Sequence, residues 1–136
     1  MNKKPYTLVL RGILRDAKGR VLLMQRSAKS KGWPGKWEFP GGKVGRGEEL
    51  TSALAREWKE ETGLSIVPAT CIDVFDWERE HDRILYFVFS VRPKRAGAMR
   101  VKVSPEHDAF GWFTPAQMKK LDVSPALERI VKVLCA

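Results

Sequence analysis

Between Glu48 and Thr62 the chain is rich in Glu, Leu, Ala, Arg and Lys, which favours a helix, and Gly63 supplies a left-handed stop. At about 100° per residue, Leu50, Ala53, Leu54 and Trp58 share one face of that helix, and this face must meet a core. Glu57, Glu60 and Glu61 fall on the same face. Glu57 and Glu61 are spaced i, i+4 and repel, and all three acids crowd the C-terminal turns, where the helix dipole already disfavours negative charge. Half-burying carboxylates without partners is costly or forces them to protonate. A positive group is therefore expected against this face. Arg56 can neutralise part of the charge, and a hard divalent cation held by carboxylate oxygens resolves the rest. The plainer reading is a charged helix end, with Arg56 and Lys59 making ordinary ion pairs.

The residues before the helix favour the first reading. Gly41-Gly42 lets backbone approach an ion or a phosphate closely, although glycine pairs also mark turns. Glu48 stands near the helix start, where it suits a cap or dipole partner as well as a metal ligand.

Around the helix, Thr7 to Leu14 and Val21 to Gln25 are apolar runs separated by the turn-forming Asp16-Ala17-Lys18-Gly19, a pattern that predicts a hairpin. Ser27 to Lys36 reads as an exposed loop before the short segment Trp37 to Phe39, and Pro40-Gly41-Gly42 is expected to stop any regular element. Ser65 to Val74, Ile84 to Val91 and Ala109 to Phe113 have the β-branched and aromatic content of strands. Thr114-Pro115 and Ser124-Pro125 each place a capping residue before a proline, which predicts helices over Pro115 to Leu121 and Pro125 to Cys135. In the second, Leu127, Ile130, Val131 and Leu134 recur at helical spacing and are assigned to the core. Strands and helices mix without regular alternation, so the class is α/β or α+β.

A length of 136 residues suits one core, and a single domain over 1–136 is expected. The net charge of +9, from 25 Lys and Arg against 16 Asp and Glu, draws anions. The basic residues are scattered, Lys3 and Lys4 among them, and only Trp33 among Lys29, Lys31 and Lys36 interleaves an aromatic with lysines. A nucleic-acid partner is accordingly not expected. Cys71 and Cys135 lie far apart without a metal or redox motif. Arg11 breaks the first apolar run, no cleavage-site pattern follows it, and no stretch reaches membrane-spanning length, so a soluble, cytoplasmic protein is expected.

The segment Gly42 to Leu64, GKVGRGEELTSALAREWKEETGL, resembles the Nudix box: Gly, five residues, Glu, seven residues, Arg-Glu, a bulky apolar residue, any residue, Glu-Glu, any residue, Gly and a bulky apolar residue. Gly42, Glu48, Arg56, Glu57, Glu60, Glu61, Gly63 and Leu64 stand at the matching positions. Trp58 departs from the pattern, where the family usually has an aliphatic residue. Gly19 to Arg26, Trp37-Glu38-Phe39-Pro40 and Pro105 to Phe113 resemble the flanking segments of MutT-like members.

The resemblance implies an α/β/α sandwich with a mixed sheet and a loop-helix-loop metal site over 42–64. It implies Mg2+, or Mn2+ in its place, on Glu57, Glu60, Glu61 and the Gly41 carbonyl, with Glu106 as a further ligand or base. Arg56 would orient the glutamates and Glu57 would be the catalytic base. The implied reaction is hydrolysis of a diphosphate bond in a nucleoside triphosphate or related small-molecule nucleotide, releasing a nucleoside monophosphate and pyrophosphate. Arg26 would contact substrate and Phe39 would stack on its base, each with an ordinary structural reading beside it. Leu127 falls where the oxidised-guanine enzyme reads the base with Asn. Alternatives are an ADP-ribose or other nucleoside diphosphate-derivative pyrophosphatase, and a non-catalytic nucleotide- or RNA-binding module; the intact glutamates argue against the last.

Overall fold

The first apolar run forms β1 (Tyr6–Ile13) in the computed structural model, which describes residues 4–97 and 99–134. β1 is flanked by β4 (Gly41–Lys43), antiparallel, and by β6 (Arg83–Pro93), parallel over its whole length from Tyr6↔Arg83 to Ile13↔Ser90. β5 (Ile66–Glu78) pairs antiparallel with the other side of β6 and closes a four-stranded mixed sheet. A second, three-stranded antiparallel sheet has β2 (Val21–Arg26) at its centre, between β3 (Trp37–Glu38) and β7 (His107–Phe113).

The expected hairpin between the first two runs does not form. Both edges of β1 are taken by β4 and β6, and both edges of β2 by β3 and β7, so the two strands share only a bridge at Arg15↔Val21 and a bond from the Leu22 amide to the Leu14 carbonyl. The turn chemistry of Asp16 to Gly19 is present, with the Asp16 carboxylate accepting the Lys18 and Arg20 amides, but it passes the chain from one sheet to the other. Pro40-Gly41-Gly42 also departs from expectation, because Gly41 begins β4. A Cβ on Gly41 would lie 1.9 Å from the Leu10 carbonyl oxygen, so the missing side chain is what admits β4 to β1.

Alternating strand residues serve two helical layers. Leu10, Leu14 and Leu22 pack with Ala53, Leu54 and Trp58 of α1 (Leu50–Thr62), together with Ile66 and Val91. Ile13, Val21 and Leu23 face the other way, where Phe39 and Val88 meet Met118 of α2 (Pro115–Met118) and Leu127, Ile130 and Val131 of α3 (Pro125–Leu134). Thr114 caps α2 in a capping box with Gln117, and the Ser124 hydroxyl accepts the Leu127 amide at the start of α3. α2 ends at Met118, short of the expected Leu121; the expected end of the last helix at Cys135 lies outside the described residues, as does Lys3. No helix among the described residues is long and apolar enough to cross a membrane.

Trp58 is fully buried, and its fit explains the departure from the box pattern. It lies directly against Gly12 of β1, where a Cβ would come within 2.4 Å of Trp58 Nε1 and 2.8 Å of Cε2. The tryptophan thus fills space that a side chain at position 12 would take. Gly12→Ala should destabilise the protein by about 1–3 kcal/mol through overpacking, and Trp58→Leu in the same chain should restore part of that loss. Urea unfolding of wild type and the two variants checks it; a Gly12→Ala midpoint equal to wild type would show that the contact is slack.

Candidate active site

The acidic face of α1 meets β4, and the glycines of β4 determine how closely. Glu61 is buried, and its Oε2 accepts the Gly41 amide at 3.0 Å. Glu57 lies against Gly42, where a Cβ would sit 2.4 Å from the Glu57 carboxyl carbon. Glu60 is not on the buried face as expected: its side chain is 57% exposed against 16% for Glu57.

Arg56 ties the acids together. Its Nε and Nη2 donate to Glu48 Oε2 and Oε1, both at 2.8 Å, in a bidentate pair. Its Nη1 donates to Glu57 Oε1 at 3.0 Å and to Glu60 at 3.2 Å, and Nη2 also reaches the Lys43 carbonyl. Glu48 accepts the Gly45 amide at 2.6 Å and lies before the helix, whose N-cap is Glu49. Its place is therefore that of an anchor for Arg56, and it does not cap the helix. Bonding to Glu48 most of all raises the Arg56 pKa, and bonding to Arg56 holds the Glu48 carboxyl below its usual range.

Burial dominates the two inner acids. It pushes Glu61 up to about 7, against the opposing influence of Arg11, His107 and the Gly41 amide. It also raises Glu57, where Arg56 opposes it and the charges of Glu60 and Glu106 add to it. Glu106 stands exposed in the turn before β7 and lines the same cleft.

Behind the glutamates lies a buried ionic network that joins the two sheets. Glu38 of β3, 1% exposed, accepts Arg26 Nη1 at 3.0 Å, lies 3.4 Å from His107 Nε2, and makes an ion-pair contact of 3.3 Å with Arg11 Nη2 of β1 that lacks hydrogen-bond alignment. Burial of Arg11 opposes its charge, but Glu38 and Glu61 outweigh that and raise its pKa. Arg11 was legible only as a break in an apolar run, yet a charge on the same strand face as Val9 and Ile13 is itself a signal of a charged lining.

Arg11, Arg26, Glu57, Glu60, Glu61 and Glu106 line one cleft of about 860 Å³. Its lining also includes Lys31 and Trp33 of the Ser27 to Lys36 loop, Arg79, Ile84 and Tyr86, and Gly41 and Gly42 of β4. Phe39 is absent from its walls. It is fully buried with Val88 and Leu127, so the expectation that it stacks on a base is corrected: its ring belongs to the core. A second hollow of about 490 Å³ beside Gly63 to Ile66 has no acidic lining and lies apart from this chemistry.

The donor set, carboxylates with glycine backbone beside them, has the hard-oxygen chemistry a small divalent cation prefers. Among the described residues no three His, Cys, Asp or Glu side chains converge on one point; Arg56 holds two of the carboxylates and the Gly41 amide a third.

The family model for the NUDIX domain matches residues 5–134. The chain belongs to the NUDIX family. It is similar in structure to a MutT protein from Methanosarcina mazei Go1, with a TM-score of 0.83 and 33% identity over 96% of this chain and 93% of that one. In sequence it is 34% identical over 109 residues to the CTP pyrophosphohydrolase of Escherichia coli strain K12, covering 79% of this chain and 76% of the relative. It is likewise 34% identical over 90 residues to an 8-oxo-dGTP diphosphatase of Proteus vulgaris, covering 65% and 79%. As a Nudix pyrophosphohydrolase, the chain is a hydrolase of phosphoanhydride bonds.

The raised Glu61 has a measurable consequence in metal-free protein. Its folded pKa of about 7 exceeds the unfolded value near 4.5, so the native state is penalised above pH 7 and the penalty disappears as pH falls below 4.5. Glu61→Gln, which keeps an acceptor for the Gly41 amide, should therefore stabilise the chelator-treated protein by on the order of 2 kcal/mol at pH 8 and by little at pH 4.5. Thermal melts of both proteins across this range test it, and a pH-independent difference would mean that Glu61 is not the desolvated acid.

Proposed function

We propose that this Nudix hydrolase uses Mg2+, with Mn2+ able to replace it, to hydrolyse nucleoside triphosphates or closely related nucleotides to a nucleoside monophosphate and pyrophosphate. The observation that carries this reading is the set of glutamates against Gly41 and Gly42 at one end of a cleft whose other walls supply Arg11, Arg26, Lys31 and Arg79. The similarity to a CTP pyrophosphohydrolase and an 8-oxo-dGTP diphosphatase supports the triphosphate class. A cytoplasmic location belongs to the same reading.

Glu57, Glu60, Glu61 and the Gly41 carbonyl would hold the ion, with Glu106 as a further ligand. When bound, the metal supplies charge neutralisation on the phosphates and acidifies water. The chain's own groups do the rest. Glu57 is held by Arg56 and half shielded from solvent, and it takes a proton from the attacking water. The water oxygen joins one phosphorus as the bridging P–O bond breaks, and the leaving phosphate carries the electron pair away. Arg26 lines the cleft, though its guanidinium is already engaged with Glu38, Ser30 and Gly32, so its charge is fixed in place rather than free to follow substrate. Leu127 is buried in the core, so no hydrogen bond reads the base from that position.

The test is pyrophosphate and phosphate release from a panel of nucleoside triphosphates, ADP-ribose, nucleotide sugars and dinucleoside polyphosphates, with magnesium and with chelator. Wild type should act on triphosphates only with metal, and Glu57→Gln should lose about 10²–10⁴ in kcat. A larger loss in Glu106→Gln than in Glu57→Gln would transfer the base role to Glu106. Turnover confined to ADP-ribose would replace the substrate class, and a panel silent with magnesium would sink the reading.

A further inference from the structure

Trp33 is a bulky residue in a backbone conformation that L residues avoid, at φ +51°. Pro34 and Gly35, the latter at φ +72°, fill the centre of a turn closed by the Lys36 amide on the Trp33 carbonyl at 3.2 Å. The Arg26 side chain runs through the loop as a strut, donating to the Gly32 carbonyl and the Ser30 hydroxyl on one side and to buried Glu38 on the other. The loop is therefore fixed to the buried ionic network, and the unusual conformation at position 33 is held against relaxation. Strain of this kind concentrates at functional sites.

The indole itself is half-buried and lines the cleft that holds the glutamates. It meets Trp77 of β5 edge to face, with centroids 6.2 Å apart and planes at 75°, a contact that fixes the ring and can cover no more than one of its two faces. The contact also gives a purpose to Trp77, an exposed aromatic on an edge strand. Among the described residues the other aromatic lining the cleft, Tyr86, is 2% exposed, and Phe39 lies in the core. Lys31, two residues away on the same loop, adds a charge beside it.

We propose that Trp33, buttressed by Trp77, is the platform on which the base of the nucleotide stacks, so that this loop sets how strongly a base contributes to binding. The inference rests on the nucleotide reading above and adds to it a specificity-determining residue. Stacking holds a base by its π-face, so this platform accepts every base and favours the larger purines.

The experiment compares wild type, Trp33→Ala and Trp33→Phe in steady-state hydrolysis of ATP, GTP, CTP and UTP, with inorganic tripolyphosphate as a base-free competitive inhibitor. Losing one stacking contact should raise KM for the nucleotides by roughly 5- to 150-fold, more for purines, with kcat little changed. The tripolyphosphate inhibition constant should move by less than about threefold, and Trp33→Phe should recover most of the affinity, which a collapsed loop would not allow. Nucleotide KM values unmoved in Trp33→Ala would overturn the platform alone, as would a tripolyphosphate constant rising by the same factor. Absence of turnover of any nucleotide by wild type would overturn the underlying reading and the platform with it.

Discussion

At Gly41 and Gly42 the backbone of β4 must touch β1 on one side and two carboxylates of α1 on the other, and neither contact survives a Cβ. The Leu10 carbonyl occupies the space of one and the Glu57 carboxylate the space of the other. Because β4 is seated there, the Gly41 amide reaches Glu61, and α1 is drawn against the sheet by its acids as well as its leucines. That arrangement is unfavourable for the apo chain. A carboxylate moved from water into this contact retains one backbone donor and loses most of its solvation, which is why its pKa climbs. The fold bears this cost at the one place where the proposed chemistry calls for desolvated oxygen donors, and the apolar packing of Leu54 and Trp58 on the same helix offsets it.

The second constraint is Glu38. It brings Arg11 from one sheet and Arg26 and His107 from the other to a single buried carboxylate. Removing such a partner strands buried charge, at a cost of about 3–5 kcal/mol. The gain is positional. Arg11 is delivered to the glutamate end of the cleft, and Arg26 is stiffened into the strut of the Ser27 to Lys36 loop, so one buried acid orients both walls.

The acidic helix was readable because two rules of helix design conflict in it: apolar residues specify a core face, and acids occupy the same face at the wrong end of the dipole. The same periodicity placed Leu127, Ile130 and Val131 in the core. Strand partners were not readable from local pattern. Asp16 to Gly19 makes the same turn whether the flanking strands pair or part, and the choice is made by Gly41 and by β6, distant in sequence. Phe39 and Trp33 show the same limit for side chains. Both are aromatics beside polar loop residues, and only the third dimension sends one into the core and holds the other at the cleft. Glu60 marks the limit of face assignment along a helix: one residue from Glu61 it turns about 100° away, and its side chain is 57% exposed while still lining the cleft.

The excess of basic residues acquires a definite role from this geometry. Most cations lining the cleft are already matched, Arg11 and Arg26 by Glu38 and Arg79 by Asp82, and Arg56 beside it is matched by three glutamates. Among the described residues lining the cleft, Lys31 and Lys43 make no ion pair. Near the chemistry the chain therefore presents mostly paired charge and oriented oxygens, with Lys31 and Lys43 as the unpaired cations. Attraction at longer range falls to the scattered surface cations that give the net charge of +9, and such a field acts on the rate of encounter and fades with salt over about 10 Å at 0.1 M. Capture of a polyanion and discrimination of its reacting atoms are thus assigned to different groups, and ionic strength acts on the first without loosening the second.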